Sequence, residues 1–249
     1  MDKEKIYFAS DFHLGSPNFK ESRIRENLII NWLNDIKKDA KAIYLLGDIF
    51  DFWFEYKKVV PKGYIRFLSK LAEIVESGTE IHFFVGNHDL WAKDYLEVEL
   101  GLNIHHHQKI IKEQNKKLLI AHGDGLGKAD YTYKLIKKIF KSRICQWIFS
   151  QLHPNLAFTV AQNWSKKSRK KISKPFLSKE KEVLFNYCKN LQKKNPVDYY
   201  VMGHRHLPLE IKIDEQAKYI NLGEWINYNT YAVLENGIIK LNTYKKNHH

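Results

Sequence analysis

Five short polar blocks carry most of the side chains in this 249-residue chain that could do chemistry. They are Asp11-Phe12-His13, Gly47-Asp48-Ile49-Phe50-Asp51, Gly86-Asn87-His88-Asp89, His122-Gly123-Asp124 and Gly203-His204-Arg205-His206. Each follows a short apolar run that reads as a strand, so each delivers Asp, Asn or His from a strand end. Asp11 and His13 lie two apart, which on extended backbone points both side chains the same way. Taken singly, His122, His204 or His206 reads equally well as a core or capping histidine; together with Asp11, His13, Asp48 and Asn87 they read as metal ligands. The donors are carboxylate, amide and imidazole with no thiolate, a set that suits manganese, iron or zinc in five- or six-coordinate geometry. The candidates exceed what one ion needs, and a carboxylate can bridge two. A two-cation site activates a water near neutral pH and clamps a phosphoryl group while charge builds on its oxygens.

The elements that must position these blocks follow from periodicity. Ile6–Ser10, Ala42–Leu46 and Ile81–Val85 read as buried strands, separated by an amphipathic helix over Ile24–Ile36 and a second over Lys62–Glu76 that Pro61 opens and Gly78 ends. That is the β-α-β-α-β beginning of a layered α/β fold. A short helix is expected within Trp91–Leu102, and His105-His106-His107 reads as a polar turn or strand start. His82, inside a strand, reads as structural, and Asp51 as an orienter of a ligand histidine. Lys117–Ala121 is a further strand behind a turn at Asn115-Lys116. From 128 to about 178 the pattern changes to two helical pieces with interleaved lysines, which looks inserted. Ser178, with Glu180 and Glu182 behind it, is expected to cap a helix reaching Leu191. Val197–Met202, Leu209–Ile213, Lys218–Leu222, Thr230–Leu234 and Ile238–Tyr244 complete a C-terminal half expected to be mostly antiparallel.

Composition is that of a globular chain, and residues 1–249 read as one domain that includes the insert. Cys145 and Cys188 have neither metal nor disulfide spacing and read as free thiols. The first residues carry no signal-peptide pattern and no apolar run reaches membrane-spanning length, so the expected location is the cytoplasm. Net charge is +13, which favours a polyanionic partner, and the region from Lys128 to Glu182 holds fourteen Lys or Arg against three acids. A basic, aromatic-rich helical cap would touch substrate or an anionic membrane surface. The sequence shows no recognised nucleic-acid-binding module, so nucleic acid is set aside as partner. Nothing in it fixes the oligomeric state.

In this order, DxH, GDxxD, GNHD, HGD and GHxH resemble the calcineurin-like metallophosphoesterase superfamily over nearly the whole chain. The resemblance implies an α/β sandwich of two mixed sheets flanked by helices, with the blocks on loops at one rim. It implies two divalent cations, manganese first with zinc or iron as the other choices. One would take Asp11, His13, Asp48 and His206, and the other Asp48, Asn87, His122 and His204, with Asp48 shared. His88 would contact the phosphate or protonate the leaving group, and Asp89 would orient His88. Within the superfamily, GDIFDFW and the helical segment after HGDGLGKADYTYKLIKKIF are similar to UDP-2,3-diacylglucosamine pyrophosphohydrolases of lipid A synthesis. The implied reaction gives UMP and 2,3-diacylglucosamine 1-phosphate at a cytoplasmic membrane face; the alternative is a metallophosphoesterase on another substrate, a nuclease or a small-molecule phosphodiesterase or monoesterase. Phe140 and Trp147, with Ile139, Ile148 and Phe158, would line an acyl trough. Asn163, Trp164 and Ser165 would form the saccharide end, and Lys166 and Arg169 would meet phosphate or anionic lipid headgroups. The better-known members of that family carry arginine where this chain has His88, and threonine is common where it has Arg205.

Overall fold

In a computed structural model of the chain, the described residues are 3–127, 131–172 and 175–245, less the side chains of 131–133 and 167–172. The first half runs β1 (Lys5–Ala9), α1 (Phe19–Ile36), β2 (Ala40–Leu45), α2 (Ile65–Glu76), β3 (Glu80–Phe84), α3 (Tyr95–Val98) and β4 (Asn103–His105). A hairpin follows, β5 (Lys109–Glu113) and β6 (Lys116–Ala121), and then three helices, α4 (Tyr131–Phe140), α5 (Arg143–Ser150) and α6 (Pro154–Ile172). The chain closes with α7 (Val183–Gln192), β7 (Tyr199–Met202), β8 (Pro208–Lys212), β9 (Lys218–Leu222), β10 (Thr230–Glu235) and β11 (Ile238–Thr243).

Two mixed sheets result, ordered β11-β10-β1-β2-β3-β4 and β5-β6-β7-β9-β8. Side chains alternate across each strand. Ile6 and Phe8 of β1 therefore join Tyr44, Leu118, Ile120, Val201 and Ile220 in the layer between the sheets. Tyr7 and Ala9 turn the other way, onto Trp32 and Leu33 of α1 and Leu71 of α2. With both faces covered, these strands read as the near-continuous apolar runs seen in the sequence. On the far side of the second sheet, Leu119, Tyr200 and Met202 pack on Leu184 and Cys188 of α7. Strands β1, β2 and β3 are parallel in the first sheet, as are β6 and β7 in the second. The five polar blocks follow the C-terminal ends of these strands, which brings them to one rim.

Several expected elements differ in detail. Asn18 caps α1 by accepting from the Glu21 amide at 3.0 Å, so the helix starts five residues before Ile24. Gly63 has φ +108°, outside the helical region, and α2 begins at Ile65. The Trp91–Leu102 helix shortens to the single turn α3, and His105 ends a short parallel strand beside β3. The inserted region holds three helices because the chain is extended at Ser142 and restarts at Pro154. Ser178 precedes only a 3-10 turn, Lys179–Lys181, and makes no side-chain cap; Glu182 stands at the start of α7 and pairs instead with Arg205. The C-terminal strands pair mostly antiparallel, as expected, in β8–β9, β10–β11 and β10–β1, but β7 lies parallel to β6 and β9, and the β10–β11 hairpin crosses to the first sheet against β1. Among the described residues no helix is long and apolar enough to cross a membrane.

Candidate metal centre and adjoining cavity

Backbone geometry at the rim is unusual. Asp11, His13, Asp48, His204 and His206 all have positive φ, between 44° and 68°. Such conformations hold only where surrounding contacts over-determine them. Here the blocks bind one another: the Asp11 and His13 amides donate to the Gly47 and Asp48 carbonyls at 3.0 Å, and the Gly203 amide to the His122 carbonyl at 2.9 Å. Arg25, buried on α1, donates to the Phe12 and His13 carbonyls at 2.7 Å and also to that of Ser16. Gly86 and Gly203 are required by close approach. A Cβ on Gly86 would collide with the Asp48 carboxylate, and one on Gly203 would lie 2.6 Å from Asp11 Oδ2.

The side chains converge in overlapping groups. Asp11, His13, Asp48 and His206 place one ligand atom each within 4.8 Å of one another, as do Asp48, His122 and His204. His206 Nε2 lies 3.2 Å from Asp11 Oδ1 and 3.1 Å from His13 Nε2. His122 Nε2 lies 3.3 Å from both Asp48 Oδ2 and Asn87 Oδ1. Asp48 belongs to both groups and is fully buried. Tautomers are set from behind: His122 Nδ1 donates to the Leu46 carbonyl at 2.7 Å, leaving Nε2 for the centre. Asp51 Oδ1 stands 3.6 Å from His13 Nδ1, and a third cluster joins Asp51, His13 and His88.

Within the chain itself, carboxylates and imidazoles set one another's charge. Burial disfavours the Asp48 carboxylate, yet the facing His122 and His88 imidazoles hold it well below its ordinary range. Burial likewise opposes a charged His122, but the Asp48 carboxylate outweighs it and lifts the imidazole to about 10. Burial, then the charge on His122, push His204 down to about 4. Asp48 Oδ2, Asp11 Oδ1 and His204 Nδ1 are buried and make no hydrogen bond. Buried polar atoms without partners are costly, and divalent cations would satisfy all three, since O and N are the ligands such ions prefer. The residues therefore fit a dinuclear centre.

His88 Nε2 lies 3.8 Å from Asp48 Oδ2, at the edge of this centre. The expectation that Asp89 orients His88 is corrected by the contacts. Asp89 accepts from the Gly86 amide at 2.6 Å and the Ile49 amide at 2.8 Å, tying two blocks together, while the His88 ring touches the Asp51 carbonyl and Ser165. Burial and the Asp48 charge raise Asp89 to about 7.

Beyond His88 opens an apolar cavity of about 290 Å³. Core residues Phe52, Trp53, Leu90 and Trp91 form one wall, and Phe140, Cys145, Phe149, Val160, Ala161 and Trp164 of α4 to α6 form the other. Asn87, His88 and Ser165 stand where it meets the centre. Of the expected substrate contacts, Phe140 and Trp164 line this cavity. Trp147 does not: it is exposed and lines a separate basic groove with Lys57, Lys58, Lys93 and Arg143. Ile139 and Ile148 are also largely exposed, whereas Phe158 packs edge-on against Phe52. Asn163 and Lys166 are exposed and line neither space; the Arg169 side chain lies outside the described residues. The three helices are fastened to the rim: Lys137 pairs with Asp124 at 2.5 Å, and the Trp91 indole donates to the Phe140 carbonyl at 2.7 Å.

A family model described as calcineurin-like phosphoesterase matches residues 4–208. A UDP-2,3-diacylglucosamine hydrolase of Porphyromonas gingivalis is 38% identical over 246 residues, covering 93% of this chain and 94% of that protein. One from Actinobacillus succinogenes is 28% identical, covering 89% and 92%. Among solved structures, Yfce, a phosphoesterase from E. coli, matches at TM-score 0.47 and 16% identity, covering 96% and 92%.

Proposed function

The chain belongs to the calcineurin-like phosphoesterase family, and from that premise we propose that it hydrolyses the pyrophosphate of UDP-2,3-diacylglucosamine to UMP and 2,3-diacylglucosamine 1-phosphate. The observation that carries this reading is the continuity between the ligand cluster and the apolar cavity: His88 and Asn87 belong to both. A phosphomonoesterase or nuclease has no need of an apolar chamber beside its metals, whereas two acyl chains do. Each sheltered methylene contributes roughly 0.8 kcal/mol.

Bound cations, manganese in this reading, supply a water nucleophile near neutral pH and a clamp on the phosphoryl oxygens. The chain's own residues do the rest. Asp11, His13, Asp48 and His206 would hold one ion, and Asp48, Asn87, His122 and His204 the other, which their convergence supports. His88 presents Nε2 to the reacting oxygens, within a pocket whose aromatic walls exclude bulk water. Phe140 and Trp164 shelter acyl methylenes. The basic groove around Lys57, Lys58, Lys93 and Arg143, with Trp147 at its lip, meets anionic lipid headgroups, which makes the protein peripheral to a membrane. Inserted at 128–178, the helical segment acts as the cap of a single 1–249 domain, and its work is at the cytoplasmic face.

The test is UMP release by manganese-loaded protein from the diacylated UDP-sugar and from its deacylated counterpart. Release from the first with little from the second is expected. Equal rates on both, or cleavage of DNA or RNA in place of the UDP-sugar, would reject the substrate.

A further inference from the structure

Among the described side chains of α6, one polar group reaches the rim of the centre. Ser165 is 3% exposed and stands where the cavity meets His88. Its Oγ lies 3.0 Å from the Asp51 carbonyl oxygen and 2.7 Å from His88 Nδ1, and Nδ1 lies 2.9 Å from the same carbonyl. The triangle has one consistent proton assignment. A carbonyl oxygen only accepts, so a bare Nδ1 at 2.9 Å would set lone pair against lone pair; Nδ1 carries its hydrogen. The single hydroxyl proton goes to Asp51, and the Ser165 oxygen shares the Nδ1 hydrogen. Nε2 is left as the ring atom through which His88 gives or takes a proton, and it is buried with no hydrogen bond of its own.

We propose that Ser165 is a positioning residue for His88 that makes turnover depend on the seating of α6. The proposal rests on the phosphoester-hydrolase reading above. Asp51 is part of the rim and stays whether or not the helices are docked, but Ser165 arrives only with α6. Val160, Ala161 and Trp164 of the same helix wall the cavity. Acyl chains that fill the cavity therefore bind α6 down, and the bound helix fixes the imaging of Nε2 onto the reacting phosphorus oxygens. Lipid recognition and proton transfer share one mechanical part, which fits a chain with a histidine rather than an arginine at this place. An arginine brings five donors and a permanent charge and needs no tautomer set.

The test compares wild type with Ser165→Ala and Ser165→Thr in full-length, manganese-loaded protein on the diacylated UDP-sugar. Losing one hydrogen bond that orients the ring should lower kcat about tenfold with KM within about twofold. Threonine, which keeps the hydroxyl, should restore most of kcat. Ser165→Ala added to His88→Ala should cost nothing further, since its effect passes through the ring. In zinc-loaded protein, the 15N shifts of His88 should report a hydrogen on Nδ1 in wild type and mixed tautomers in the alanine variant. Wild-type kcat in Ser165→Ala, a change confined to KM, or multiplying effects in the double variant would each overturn the proposal. If the alanine variant loses metal or unfolds, Ser165→Cys fills the same space with a poor donor and takes its place. If wild type cleaves bis(p-nitrophenyl) phosphate but no UDP-sugar, the substrate reading fails, and the kcat comparison on that ester still decides Ser165.

Discussion

Ala161 is 8% exposed, faces the cavity from α6, and offers the least side chain of any residue on that wall. Replacing it with tryptophan drives an indole into the space assigned to acyl chains. A methylene needs about the room of one water, roughly 30 Å³, so a 290 Å³ cavity holds on the order of ten. Full burial of one methylene contributes roughly 0.8 kcal/mol, about fourfold in an equilibrium constant, and half-shelter about twofold. An indole that displaces about three methylenes should therefore cut kcat/KM for a long-chain substrate by roughly eight- to sixtyfold. The assay is steady-state UMP release across a series of acyl lengths. In wild type, kcat/KM should climb with each added methylene and then level off. In Ala161→Trp the plateau should arrive about three methylenes sooner. Matching slopes and plateaus in the two proteins would show that the chains bind elsewhere, and a flat wild-type series would remove the cavity from recognition altogether.

Asp48→Ala should abolish turnover and lose both cations, read by elemental analysis, while circular dichroism stays that of the folded chain; retention of one full equivalent would show that Asp48 is not shared. His88→Ala should keep the metals and lose about 10²- to 10⁴-fold in kcat, the usual worth of a positioned proton donor or acceptor. After chelation, stability should fall as pH rises from about 6.5, because folded His122, raised to about 10, holds a proton that the unfolded chain releases. Thermal melts with and without manganese check this: the loaded protein should lack that decline, since a cation stands in for the proton.

Much of the rim was legible because each block follows a strand whose apolar run is unambiguous. Parallel β1, β2, β3, β6 and β7 could only deliver their C-terminal ends to one side. What the sequence could not convey was which face of an amphipathic helix turns inward. On α5 both Trp147-Ile148 and Cys145-Phe149 offer apolar side chains, and the structure turns the second pair, half-buried, onto the cavity while leaving the first exposed. Ring contacts of Phe149 with Trp91 at 4.6 Å and Phe54 at 4.9 Å show why: the core supplies aromatic partners only to that face. Arg25 was missed, and Ser165 was read as a saccharide contact and not as a partner of His88, for a related reason. Each sits on a helix, and their partners, the Phe12 and His13 carbonyls and the His88 ring, belong to other elements of the chain. The Arg205–Glu182 pair escaped notice because Glu182 read as a helix-opening acid. The C-terminal crossover was hidden because β10 and β11 form a local hairpin whose destination, β1, is set by the faces they share and not by their turn.

The left-handed residues at the rim explain why these blocks are recognisable at all. Five non-glycine residues in that region cost on the order of 1 kcal/mol each, a sum comparable to the low end of a domain's whole stability. Asp and His tolerate it better than most residues, yet the arrangement also crowds two buried carboxylates with five imidazoles. Nothing in the packing of the sheets demands this. The backbone bonds between blocks hold the geometry, and glycines at 86 and 203 admit the carboxylates of Asp48 and Asp11 against bare main chain. Cations that satisfied the orphaned oxygens and nitrogens would offset that strain, which would link fold and metal in one equilibrium. Glycine and ligand recur together because neither is useful alone: the close approach needs the glycine, and only a cation makes the close approach worth keeping.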